Sequence, residues 1–180
     1  MFLQGRRNTI SPSRSNSSQI QKILVASLIM LLGMVPGGQG LYAAGMKDNR
    51  NGTLTDAKTG LVWQKGGSFL ELKKGLNWYE ALEYIEGKNR KKFAGHDDWR
   101  LPTLEELNAL WDSTRSGRSK DGEAVGLPKG FDNGGSYYIW TSNERGLDNA
   151  WYFGLGQKEN YFNLKDLADL EQGVKMVRSQ

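Results

Sequence analysis

Few side chains in this sequence could carry chemistry, and most of them lie close together. His96 is the only histidine, and Asp97 and Asp98 follow it directly, with Glu105 and Glu106 a few residues on. Paired carboxylates can exchange protons with a substrate. An imidazole beside two carboxylates can hold a weakly bound metal. Each of these acids also has a local structural role, however, in a turn (Asp97 and Asp98) or in the first turn of a helix (Glu105 and Glu106), and a loop histidine in solvent is the plainer reading of His96. There is no cysteine. That removes thiolate metal sites, disulfides and a lipidated signal cysteine. One imidazole leaves little room for a Ser-His-Asp arrangement, and no phosphate-cradling glycine loop precedes a helix. The expectation is therefore no catalytic residue, no metal and no cofactor. The other candidate is Lys88-Asn89-Arg90-Lys91-Lys92, a dense basic run. It reads either as a contact for a sulfated or phosphorylated polymer, such as a glycosaminoglycan or lipopolysaccharide, or as a solvated helix end whose cations suit the C-terminal dipole.

The element that must position the acids is Asp98-Trp99-Arg100-Leu101-Pro102-Thr103-Leu104-Glu105-Glu106-Leu107. Pro102 fixes its own φ and keeps Leu101 extended. Thr103 then caps a helix. Its hydroxyl accepts from the N–H of Glu106, whose carboxylate reaches back to the N–H of Thr103, a capping box. Leu104, Leu107, Leu110 and Trp111 recur at helical spacing and predict one buried stripe. Trp99 and Arg100 are then expected to be packing and ion-pairing groups, so the motif is architecture and not a ligand site.

The 180 residues suffice for one domain after a targeting segment. Its formal charge of +4 comes from the front of the chain: without Arg6, Arg7, Arg14 and Lys22 the remainder has 20 basic and 20 acidic residues. The basic balance thus gives no reason to expect a nucleic-acid partner. Residues 1–45 read as a secretory signal, with a basic stretch, the apolar run ILVASLIMLLGMV (23–35), Pro36-Gly37-Gly38, and the small residues Ala43-Ala44-Gly45. The apolar run is shorter than the roughly 20 residues that span a membrane. Two outcomes follow: cleavage near Gly45, or retention as an anchor, which would be the one membrane contact. Residues 46–180 form the expected domain, exported to the periplasm or beyond, with six tryptophans to supply its core.

Along that domain, turns at 48–52 and 56–60 flank short alternating strands, Thr53-Leu54-Thr55 and Leu61-Val62-Trp63-Gln64, which predict a hairpin. The Asp/Asn spacing there is a faint echo of a calcium loop, but the closing Glu is missing. Residues 66–75 are a polar loop. Asn77 caps a helix near 78–86, with Glu80 at its third position, a buried face of Trp78, Ala81, Leu82 and Ile85, and a stop at Gly87. A second helix is expected near 104–112. Residues 113–135 form a long Gly- and Ser-rich excursion pinned by Phe131. Strands follow at 137–142, 150–155, 159–164 and 173–178.

Three stretches make the chain resemble a known family. They are Asn51-Gly52-Thr53-x-Thr55-Asp56-x-x-Thr59-Gly60-Leu61-x-Trp63-Gln64, the Asp98-Trp99-Arg100-Leu101-Pro102-Thr103-x-x-Glu106-Leu107 core, and Tyr138-Ile139-Trp140-Thr141-Ser142 with Ala150-Trp151 behind it. The chain resembles the Lcl C-terminal domain family over roughly 48–178, closing on Val174 and Val177-Arg178. The Arg-Leu-Pro-Thr-x-x-Glu core is also similar to a turn in formylglycine-generating-enzyme-like domains. The resemblance implies a bacterial envelope protein and an α+β, C-type-lectin-like fold, with two helices on twisted antiparallel strands and adjacent terminal strands. It also shows what is missing. Family members often carry a cysteine where Ile85 stands. Formylglycine-generating chemistry needs cysteines, and calcium-dependent lectins use Glu-Pro-Asn or Gln-Pro-Asp with Trp-Asn-Asp, whereas Trp140 is followed by Thr141-Ser142-Asn143.

The expected function is a secreted, non-catalytic binding domain for a polysaccharide or a host or matrix polymer. Its ligand surface would lie near Trp140, built from Asp132, Asn133, Tyr137, Asn143, Glu144, Arg145, Asp148 and Asn149, since aromatic faces pack on sugar rings and amides bond hydroxyls. The alternative is a structural component that contacts another envelope protein through an exposed apolar patch. An enzyme ranks last.

Overall fold

The computed structural model describes residues 45–168 and 170–180; the expected signal segment lies outside them except for Gly45. The first strands are β1 (Met46–Asp48), β2 (Thr53–Asp56) and β3 (Val62–Gln64). They join the last strand, β9 (Val177–Arg178), in an antiparallel sheet ordered β1-β2-β3-β9. The two ends of the described domain are thereby sewn together, with Trp63 opposite Val177. A second sheet is a meander of β6 (Tyr138–Arg145), β7 (Asn149–Gly154) and β8 (Glu159–Leu164). A small ribbon, β4 (Gly117–Arg118) with β5 (Ala124–Val125), lies within the excursion read from sequence as loop. The class is mixed α+β.

Helix α1 (Ser68–Leu72) falls in the stretch expected to be loop. Helix α2 (Trp78–Arg90) and helix α3 (Leu104–Leu110) both begin with the capping boxes expected of them. The Asn77 side chain accepts from the Glu80 N–H at 2.8 Å, and the Asn77 N–H donates to Glu80 at 2.9 Å. Two expectations for α2 fail. It runs through Gly87 to Arg90, and Leu82 is 40 % exposed. The first failure has a visible cause. The amide of Asn89 accepts from the Trp99 N–H and donates to the Trp99 carbonyl, both at 2.9 Å, so the last turn of α2 is fastened to the bend at 98–107. The reversal behind it comes from Lys92 and Ala94, both at positive φ. Helix α3 stops one residue before Trp111, whose extended backbone turns away.

The meander separates two cores because its side chains alternate between faces. One face carries Trp140, Ala150 and Tyr152, which pack with Trp78, Ala81 and Ile85 of α2, and with Trp99 and Leu101. The other carries Ile139 and Phe153, which pack with Leu107 and Leu110 of α3 and with Trp63 and Val177 of the first sheet. Leu107 and Leu110 of α3 bury the Ile139–Phe153 part of this second face. Trp151 and Phe162, cross-strand partners on the same face, are left half-buried and exposed respectively.

Candidate functional site

The bend at 98–107 is filled from within. Trp99 is 3 % exposed and its indole N–H donates to the Phe93 carbonyl at 2.9 Å. Arg100 pairs its backbone with Val177 in both directions at 3.0 Å. Its guanidinium grips the Glu106 carboxylate at 2.8 and 2.6 Å, while the same carboxylate accepts from the Thr103 N–H at 2.8 Å. Burial alone would raise the Glu106 carboxyl, but the Arg100 and Thr103 hydrogen bonds outweigh it and hold it below the ordinary range. The Pro102 carbonyl accepts from the Ser142 N–H, and the Leu104 N–H donates to Asn143, so the bend also anchors β6. Leu101 and Leu107 are core. Asp98 accepts from the Arg178 guanidinium at 2.7 Å, and that hydrogen bond keeps its carboxyl low.

The remaining acids are also taken up locally. Asp97 lies 3.7 Å from Lys92. His96 is exposed and meets Trp99 edge-on at 6.5 Å between ring centroids. Among the described residues no group of three or more His, Asp or Glu side chains is placed to hold a metal ion.

The basic run is dispersed in the same way. Lys88 pairs with Glu71 at 2.5 Å and lies over the Tyr84 and Phe93 rings, and Arg90 pairs with Glu86 at 2.6 Å. With Lys92 near Asp97, three of its four cations face acids, and Lys91 is the exposed fourth. Exchanging Lys91 and Lys92 together for alanine is expected to leave retention on a heparin column unchanged, because no concentrated patch is lost. A clear drop in eluting salt would show that these two lysines act as a polyanion contact.

The nine residues expected to make one surface near Trp140 do not come together. Trp140 itself is 0 % exposed, and its indole N–H donates to the Leu76 carbonyl at 2.7 Å, so it shows no face to a ligand. Asp132, Asn133 and Tyr137 lie before the start of β6, and Asn143 to Asn149 lie at or beyond its other end. Six residues along β6 separate Tyr137 from Asn143, about 20 Å of extended chain. Asp132 is 3.9 Å from Lys65, Asn133 accepts from the Arg118 N–H at 2.8 Å, and Tyr137 donates to Gln157. These are loop-fixing contacts. At the far end Asn143 caps α3, and Glu144 pairs with the buried amine of Lys165. Asp148 accepts from the Lys165 N–H through its carbonyl at 2.8 Å, and Asn149 pairs with Arg145 and Leu164.

Arg145 is the one of the nine that reaches an exposed aromatic. Its guanidinium carbon lies 3.7 Å from the centre of the Phe162 ring and 5.5 Å from that of Trp151. The two rings meet edge to face at 5.6 Å. Phe162 is 48 % exposed, and among the described residues no acceptor holds the Arg145 donors. Asn149, in register with Arg145 and Leu164, shares this face, whereas Glu144 and Asn163 are both in register with Ala150 and belong to the other. Period-two alternation puts Trp151 and Phe162 on the same face as buried Phe153, so local pattern does not reveal them as an exposed pair.

No curated protein matches the chain. The model of the Lcl C-terminal domain matches residues 52–178, from the turn before β2 to the last residue of β9. The match takes in both sheets' strands after β1, the bend and the Trp151–Phe162 face, and the chain therefore belongs to the Lcl C-terminal domain family.

Proposed function

We propose that this chain is an exported, non-catalytic binding domain of the bacterial envelope, that its ligand is a polysaccharide or a matrix polymer, and that its fold is C-type-lectin-like. For the fold, the support is one sheet shared by the first three strands and the last, with β3 paired to β9, two capped helices, and a long excursion before the meander. The similarity to formylglycine-generating-enzyme-like domains is then one of scaffold.

One observation carries the ligand class: the partly exposed Trp151–Phe162 pair with the Arg145 guanidinium stacked on it and the Asn149 amide on the same face. Flat aromatic faces pack against the C–H surfaces of sugar rings, and fixed polar neighbours orient hydroxyls. A rigid sheet holds these groups without an ordering cost at binding.

The test is electrophoresis of the full chain through gels containing neutral or acidic polysaccharides. Retardation by at least one polymer is expected, with Trp151→Ala and Phe162→Ala each weakening it about tenfold, the loss of one aromatic contact of about 1.4 kcal/mol. Free migration in every gel, or unchanged retardation of both variants, would refute the reading.

A second reading has its own observation. Leu147, at the tip between β6 and β7, is 88 % exposed, and Leu164 is 42 % exposed beside Phe162. That apolar edge suits a protein neighbour in the envelope. Cross-linking that depends on Leu147, with no retardation by any polysaccharide, would favour it.

A further inference from the structure

A small cavity of about 10 Å³ lies behind the foot of the excursion, lined by Ser68, Ser136, Asp132 and Lys175 among others. Three of these polar groups are deeply buried and Asp132 is exposed. Ser68 is 0 %, Lys175 4 % and Ser136 6 % exposed. The Lys175 amine is held by the Gly66 carbonyl, lies 3.4 Å from the Lys65 carbonyl, and sits 4.6 Å from the centre of the Phe131 ring. Burial pulls that amine down to about 7, against the pull of Asp132.

Ser136 Oγ has no hydrogen-bond partner among the described residues. Ser68 Oγ accepts from the Val174 N–H at 2.9 Å, which leaves its own proton to donate. Between the two hydroxyls stands Gly173. A Cβ there would lie 2.3 Å from Ser136 Oγ and 3.3 Å from Ser68 Oγ. The two oxygens are therefore within the span of two O–H···O bonds, about 5.6 Å. A volume of this size holds one water, provided two or more polar partners surround it.

We propose that Ser68 and Ser136 bind a single long-lived internal water in this cavity. It receives the protons of both hydroxyls and leaves its own for the oxygen acceptors of the wall, which include Asp132. The water ties the foot of the excursion, just before β6, to the start of α1 and to the chain leading into β9. Asp132 lies on the same wall, and Phe131 next to it lies against the Lys175 amine. The site is independent of the Trp151–Phe162 face.

Two readouts on the full chain decide it. The first is a water cross-peak to the Ser136 amide in NOE and ROE spectra, expected in the native protein and absent in Ser136→Ala. The second is the sign of the stability change. An orphaned buried hydroxyl is a liability, so removing it would raise the melting temperature. A hydroxyl that holds a water is an asset, so Ser136→Ala is expected to lower it by about 2–4 °C. Ser68→Ala should abolish the same cross-peak. Absence of the cross-peak in the native protein, or a melting temperature unchanged or raised by Ser136→Ala, would overturn the proposal.

Discussion

Replacing Trp140 by alanine is expected to cost about 3–5 kcal/mol, the range for emptying a buried aromatic site. Trp140 is fully buried between α2 and the meander and meets Tyr152 edge to face at 5.5 Å. Its indole N–H is the partner of the Leu76 carbonyl, and its backbone N–H donates to Gly173 at 3.0 Å. Alanine would keep the backbone bond, open a cavity and strand the carbonyl. A domain of ordinary stability has about 5–15 kcal/mol in hand, so the variant should be largely unfolded well below the native midpoint in urea. Trp140→Phe separates the two losses, since it restores much of the volume and leaves the carbonyl unpaired. It should recover about half the deficit. A native-like urea midpoint for Trp140→Ala, with a changed affinity for polysaccharide instead, would return this indole to the binding surface.

How much of this was legible depended on the range of the interaction. Both capping boxes could be read because donor and acceptor lie three residues apart and nothing distant competes. The hairpin of β2 and β3 was legible for the same reason. Trp140 and Trp151 looked alike, each in an aromatic strand, yet one is core and the other borders solvent. The difference lies in which helix covers which face, and that is fixed by contacts across 60 and more residues, such as Trp140 to Leu76. The basic run looked like a patch because Glu71, which takes Lys88, lies 17 residues earlier on a helix too short to show a period. Gly87 looked like a stop because the side-chain bonds of Asn89 to Trp99 are invisible to local rules. The bend itself was the reverse case. Arg100, Thr103 and Glu106 are close enough in sequence that their mutual bonding followed from the order of residues.

That bend supplies the second large effect. Glu106 serves two masters, the Thr103 N–H at the start of α3 and the Arg100 guanidinium. Glu106→Ala should cost about 2–3 kcal/mol, combining a lost cap with a lost charged hydrogen bond. Glu106→Gln can still cap, so it should lose only the part owed to charge. The pH dependence identifies that part. The Glu106 carboxyl is held below its ordinary value of 4.5 in the folded state, so the folded protein binds this proton more weakly than the unfolded chain does. The stabilisation is therefore complete above the unfolded value and disappears as the pH falls through the folded one. Asp98 and Glu80 are held low as well and titrate in the same direction. The diagnostic is consequently the gap between the native protein and Glu106→Gln, measured as urea midpoints from pH 7 down to pH 3. The gap should be widest at pH 7 and close on the acid side. A gap that stays constant with pH would mean that shape, not the Arg100–Glu106 charge pair, is what the bend requires.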